Sequence, residues 1–142
     1  MPTPRQRPLL IAAVVLALGW WLLMFLGTHM PMPPKTHVNV NDKLQHAAAY
    51  AGLAFLLLVA VRAFRRRSGR LYLVVIGVGA LYGVADELTQ LLVPNRSAEL
   101  LDWIADITGL ALGAAAFAVI DFVFLSAKPW SIASDNGSTA RL

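Results

Sequence analysis

YGVADELTQLLVPNRSAELLDWIADITG, Tyr82 to Gly109, sets seven ionisable side chains between two strongly apolar runs, and no other part of the chain is as dense in such residues. Asp86 and Glu87 stand toward the end of the apolar run Leu71 to Val93, which is long enough to cross a bilayer. An ionisable group inside such a span costs roughly 2.5–3.5 kcal/mol at the helix centre and less toward an edge. It therefore calls for a partner, a wet cavity or a task. On a helix, Tyr82, Asp86 and Gln90 share one face by four-residue spacing, while Gly83, Glu87 and Gln90 share the adjoining face. Asp86 and Glu87 diverge by about 100° around the axis, so they are poor partners for a single substrate atom. The expectation is that one faces the bundle and the other meets a cation near the interface. A polar clasp between helices is the structural alternative.

Outward from this stretch the composition is that of an integral membrane protein. Of 142 residues 58% are hydrophobic and 14% charged, whereas apolar usage in ordinary soluble domains is about 45–50%. The absence of cysteine removes thiolate catalysis, thiolate metal sites and disulfides. A net charge of +4 does not point to nucleic acid, because five of the twelve basic residues, Arg62, Arg65, Arg66, Arg67 and Arg70, fall in one short segment between apolar runs.

Four spans follow. Leu9 to Gly27 has no charge and comes after the short basic segment 1–8; it exceeds the h-region of a signal peptide and lacks an A-x-A-like exit, so it reads as a retained anchor. Trp20 and Trp21 near its far end suit an interface or a helix contact. Thr28 to Asn41 is a loop with Pro31, Pro33 and Pro34, in which His29 and His37 have no ligand spacing and read as solvated. Asn41-Asp42 starts the second span, Leu44 to Val61, and Asp42, His46 and Tyr50 lie on one face of it beside Lys43. The third span, 71–93, is ended by Pro94. A short loop then carries Arg96, Ser97 and Glu99, where Arg96 either binds an anionic head group or neutralises Glu87, Asp102 or Asp106.

Asp102 opens the fourth span, 103–125, with Asp106 one turn further in. Gly109 and Gly113 form a G-x-x-x-G suited to close helix packing, and Asp121 can reach toward the arginine segment. The tail 126–142 is small, polar and expected to be disordered. Counting Lys and Arg in alternate loops gives nine on one side and three on the other, so both termini are expected in the cytoplasm. The fold class is all-α, a four-helix transmembrane bundle of residues 9–125.

In that topology the second helix begins, the third ends and the fourth begins outside. Asp42, Lys43, His46 and Tyr50, then Asp86, Glu87 and Gln90, then Asp102 and Asp106 thus reach one level of the outer leaflet from three distant segments. Asp42-x-x-x-His46 and Asp102-x-x-x-Asp106 also open helices that run in the same direction. No cofactor and no metal is assigned. His46, Glu87, Asp102 and Asp106 would have to gather from three helices to hold a divalent ion, and no H-E-x-x-H-like spacing supports that.

The blocks DKLQHAAAY (Asp42 to Tyr50), YGVADELTQLLVPNRS (Tyr82 to Ser97) and LDWIADITGLALG (Leu101 to Gly113) resemble the signature blocks of the VanZ-like family of small bacterial membrane proteins, named for a protein associated with low-level teicoplanin resistance. The resemblance covers half the chain. It implies that Asp42, Lys43, His46, Tyr50, Glu87, Gln90, Arg96, Ser97, Asp102 and Gly109 are characteristic positions. Ala47 stands where the family commonly has an aromatic residue, and Asp106 where it often has Asn, which bears on the charge of the pocket. Three function classes follow. The first is a non-enzymatic multi-pass protein of the bacterial cytoplasmic membrane that binds a lipid-linked envelope precursor, a head group or the membrane-inserted part of a lipoglycopeptide. The second is an enzyme acting on an outer-leaflet lipid or wall intermediate, with Glu87 or His46 as general base. The third is a proton-coupled transporter, disfavoured because the polar residues stop at one leaflet.

Overall fold

The computed structural model describes residues 6–31, 40–64 and 68–125. Expectations for the first five residues, for Pro33, Pro34, Lys35 and His37, for Arg65, Arg66 and Arg67, and for the tail from Ser126 fall outside the described residues. Four helices make up the rest: α1 (Gln6–Thr28), α2 (Val40–Phe64), α3 (Gly69–Gln90) and α4 (Leu100–Ile120), the last continued by a π-helical turn, Asp121–Leu125. Each helix is long and apolar enough to cross a membrane, and no strand occurs among the described residues.

The surface is the reverse of a soluble bundle. Large apolar side chains such as Leu9, Leu16, Leu73, Leu81 and Leu112 are exposed, while Asp86, Asp102 and Asp106 are buried. Only an apolar solvent tolerates that distribution, because hydrocarbon offers no hydrogen bonds and polar groups must pair within the protein.

α2 packs most extensively against α4, with α1 laid on α2 and α3 on α4. The two central helices run parallel, since Lys43 pairs with Asp102 near their starts and Arg62 with Asp121 near their ends. Their separation is set by two glycines. A Cβ on Gly109 would stand 2.1 Å from the Ala47 carbonyl oxygen, and one on Gly113 would stand 2.1 Å from that of Ala51. Backbone therefore meets backbone along this seam, which is how helices gain van der Waals contact where lipid offers no hydrophobic drive for association. Below the polar end an apolar core of Leu53, Leu58, Val75, Leu110 and Phe117 fills the bundle.

α1 is attached by its tryptophans. Trp20 donates its indole N–H to the Ala49 carbonyl at 2.8 Å, and its ring lies over Gly52, where a Cβ would come within 2.5 Å of it. Trp21 stacks on Phe25 and meets Tyr82 of α3 with ring centroids 6.2 Å apart.

α3 stops at Gln90, ahead of Pro94. The N–H groups of Leu92 and Val93 bond back to the Thr89 and Gln90 carbonyls in a tightened last turn, and Asn95 then takes the left-handed conformation at φ 61°, which a short polar side chain tolerates. Pro94 lies beyond the helix and does not end it.

Gly109→Ala or Gly113→Ala must push backbone from backbone, a loss of about 1–3 kcal/mol for overpacking. Gly77→Ala, where nothing lies within 4 Å of the added carbon, is expected to leave thermal unfolding in detergent unchanged or raise it slightly. Equal effects at all three positions would show that the α2–α4 seam is not the tight contact described.

Candidate functional site

Among the described residues, all the buried polar side chains but Asp121 gather at the end of the bundle where α2 and α4 start and α3 finishes. α2 contributes Asp42, His46 and Tyr50, four residues apart and all buried; α3 contributes Asp86, Glu87 and Gln90; α4 contributes Asp102 and Asp106. Four-residue spacing explains the alignment on α2 and α4, and the α2–α4 seam explains why the two rows meet.

Three sets of contacts organise them. Lys43 reaches across to both Asp102 and Glu99, a pair of ion contacts joining the first turn of α2 to the start of α4. Asp86 accepts from Gln90 Nε2 at 2.9 Å on one oxygen and from the hydroxyls of Thr28 at 3.1 Å and Tyr82 at 3.4 Å on the other, which also lies 3.8 Å from His29 Nδ1. The third set joins all three helices. His46 Nδ1 donates to Asp106 Oδ1 at 2.9 Å, and Glu87 Oε2 accepts the backbone N–H of Glu99 at 2.7 Å, which orients its carboxylate. His46, Glu87 and Asp106 each offer a donor atom within 4.8 Å of the others.

Three oxygens here have no hydrogen-bond partner: Glu87 Oε1, Asp106 Oδ2 and the Tyr50 hydroxyl. Their residues are 6%, 0% and 0% exposed. Leaving a buried polar atom unsatisfied costs about 1–3 kcal/mol, and more when it is charged. Concentrated at one place, such atoms mark the part of the molecule least explained by stability.

A cavity of ≈ 180 Å³ opens beside this cluster between α1 and α2. Asp42, Gln45, His46, Tyr50, Thr28 and Arg96 supply its polar lining, with Met24, Gly27 and Ala49 as apolar wall. A more open depression of ≈ 330 Å³ lies between α3 and α4, walled by Val84, Leu88, Leu100 and Trp103, with Glu87 and Glu99 at its edge.

Several side chains stand elsewhere than the sequence suggested. Arg96 neutralises none of Glu87, Asp102 or Asp106. It donates from Nε to the Met30 carbonyl at 3.2 Å and from an Nη to the Gly27 carbonyl at 3.1 Å, closing the last turn of α1, whose carbonyls carry the negative end of the helix dipole. His29 is not a solvated loop residue: it stacks on Phe25 with centroids 4.0 Å apart and its Nε2 meets the Thr89 hydroxyl at 3.0 Å. Asp86 and Glu87 are both buried, Asp86 against the Thr28 hydroxyl at the end of α1 and Glu87 against the Glu99 N–H at the start of α4. Ser97 lies outside the cluster, exposed, with its hydroxyl 3.4 Å from Glu99. Asp121, at the opposite end, is buried and accepts from Arg62 Nε at 3.0 Å. Sequence reasoning passed over Thr28, Thr89 and Trp103, whose indole N–H donates to the Ala80 carbonyl at 3.0 Å. Only Thr28, a polar residue at the end of an apolar run, carried any prior signal.

A family model described as VanZ/LLP1 matches residues 13–121, which takes in α1 from Ala13, the whole of α2, α3 and α4, and every residue of the polar cluster. No curated protein and no solved structure matches the chain.

Lys43→Met strands the buried Asp102 carboxylate, a loss of roughly 3–5 kcal/mol for a broken buried pair. The double variant Lys43→Met/Asp102→Asn is expected to recover more than half of that loss in thermal unfolding. Strictly additive losses would contradict the pairing.

Proposed function

The chain belongs to the VanZ/LLP1 family, and on that premise we propose that it is a multi-pass protein of the bacterial cytoplasmic membrane that binds, at the outer leaflet, the polar head of a lipid-linked cell-envelope precursor. Glycopeptide susceptibility, to teicoplanin in particular, is then affected through competition for or shielding of that lipid. The single observation that carries the reading is the cavity beside the polar end. Its lining joins polar side chains of α2, Thr28 and Arg96 to an apolar wall of Met24, Gly27 and Ala49, the pattern a molecule with an anionic head and a hydrocarbon tail requires. A guanidinium has five N–H donors, so the two bonds Arg96 makes to α1 leave others for phosphate or carboxylate oxygens.

The outer-leaflet placement rests on the distribution of basic residues. Arg62 and Arg70 lie at the opposite end of the bundle from the cluster, which keeps that assignment consistent with the helix directions.

A second reading, an enzyme acting on such a lipid, is favoured by one feature. His46 is oriented by Asp106 through Nδ1 and also lines the cavity, as a general base positioned by a carboxylate would be. A proton-coupled transporter has less support, since the apolar core separates the cluster from the Arg62–Asp121 pair at the far end.

The test is lipid identification on the full chain extracted with its native bilayer. Wild type is expected to be enriched in an anionic or polyprenyl-linked lipid relative to the bulk membrane. Gln45→Trp, which fills the mouth of the cavity from an exposed position, is expected to lose that enrichment by about tenfold, about 1.4 kcal/mol of binding. Identical lipid profiles for both proteins would remove the binding reading.

A further inference from the structure

The group His46, Glu87 and Asp106 carries more than its own hydrogen bonds explain. Each residue comes from a different helix, each is buried, and their donor atoms lie within 4.8 Å of one another. Two ligand atoms each ~2.1 Å from one ion stand ~3.0 Å apart in octahedral and ~3.4 Å apart in tetrahedral geometry. His46 Nδ1 and Asp106 Oδ1 stand 2.9 Å apart. On Glu87, Oε2 is held by the Glu99 N–H while Oε1 has no hydrogen-bond partner; on Asp106, Oδ2 has none. These are aimed, partnerless oxygens on residues more than nine-tenths buried.

Charge points the same way. Among the described residues, Asp42, Asp86, Glu87, Glu99, Asp102 and Asp106 share this end with Lys43 and Arg96 as the cationic side chains. Lys43 is committed to Glu99 and Asp102, and Arg96 is turned to α1. Glu87 and Asp106 therefore stand close to each other and to His46 in a low-dielectric interior. A cation at that point would compensate both.

We propose that His46, Glu87 and Asp106 bind one divalent first-row transition ion, with one ligand from each of α2, α3 and α4. Imidazole with two carboxylates suits zinc, manganese, iron or cobalt, whereas calcium and magnesium take all-oxygen sets. On binding, the imidazole proton moves from Nδ1 to Nε2, and the Nδ1–H to Oδ1 hydrogen bond gives way to two bonds to the ion. The Glu99 N–H on Glu87 Oε2 is the outer contact that keeps that carboxylate aimed. Gly83 leaves the room: a Cβ there would come 3.1 Å from Asp106 Oδ2 and 3.6 Å from the Tyr50 hydroxyl. Three protein ligands leave a coordination position open, and His46 also lines the α1–α2 cavity from which an anionic oxygen would approach. The ion site goes beyond the lipid-binding reading and stands without it.

The experiment uses the purified full-length chain, stripped with chelator and dialysed against zinc, cobalt(II) or manganese(II) in turn, with metal counted by mass spectrometry. Wild type is expected to hold about one ion per chain of at least one of these metals. His46→Gln, Glu87→Gln and Asp106→Asn are each expected to weaken binding by at least about tenfold. Asp121→Asn, which removes a buried carboxylate at the other end, keeps the ion. X-ray absorption of zinc in wild type supplies a readout that needs no variant, with one imidazole nitrogen and oxygen neighbours expected. No ion on wild type at micromolar metal, binding that survives all three substitutions, or bound zinc without an imidazole would each overturn the proposal.

Discussion

The backbone contact between α2 and α4 is the constraint on which the rest depends. Gly109 on Ala47 and Gly113 on Ala51 bring two parallel helices too close for a Cβ at either glycine, and the same register delivers the cross-pairs on that seam. Lys43 meets Asp102 59 residues on, His46 meets Asp106 60 residues on, and Arg62 meets Asp121 59 residues on. A parallel pair without a shift between its ends presents its polar residues at matching depths. The buried cluster is therefore a consequence of where α2 and α4 place their first turns. α1 and α3 then complete the walls, α1 through Trp20 over Gly52 and α3 through Asp86, met by Thr28 of α1, and Glu87, met by the Glu99 N–H at the start of α4.

Polar groups at the two ends behave differently. At the far end Arg62 meets Asp121 directly, an arrangement that closes a parallel helix pair. At the near end the carboxylates outnumber the cations, and three buried oxygens, Glu87 Oε1, Asp106 Oδ2 and the Tyr50 hydroxyl, gather without hydrogen-bond partners close to a cavity. A protein built only for packing would not concentrate such groups in a membrane, where no solvent relieves them. Stability given up at one place is the usual physical signature of a site that works on something else.

Much of this was legible before any coordinates. Long apolar runs identified four helices able to cross a membrane, the G-x-x-x-G identified a close helix contact, and four-residue spacing put Asp42, His46 and Tyr50 on a common face. Parallel directions for α2 and α4 followed from counting spans. What could not be read was which partner each polar group takes. Arg96 turns to the carbonyls of α1 because that helix ends beside the α3–α4 loop, a tertiary fact with no local sequence signal. Glu87 faces inward because α3 has neighbours on both sides, so two faces of one helix are buried where a single apolar stripe would bury one. His29 stacks on Phe25 because α1 carries its helical geometry to Thr28, one turn past Phe25. Helix–helix adjacency decided each of these, and adjacency is what spacing within one helix cannot supply.

The measurement that tests the central claim most directly is the thermal stability, in metal-free detergent, of a variant in which the cluster loses its charges at similar volume: His46→Leu, Asp106→Asn and Glu87→Gln together, the last keeping an acceptor for the Glu99 N–H. If the cluster is maintained for a function, the variant melts at or above the temperature of metal-free wild type, as replacement of buried charge at similar volume often allows. A variant that melts well below wild type, by about 10 °C or more, would show that these residues hold the helices together, and the account of a functional site at this end of the bundle would be wrong.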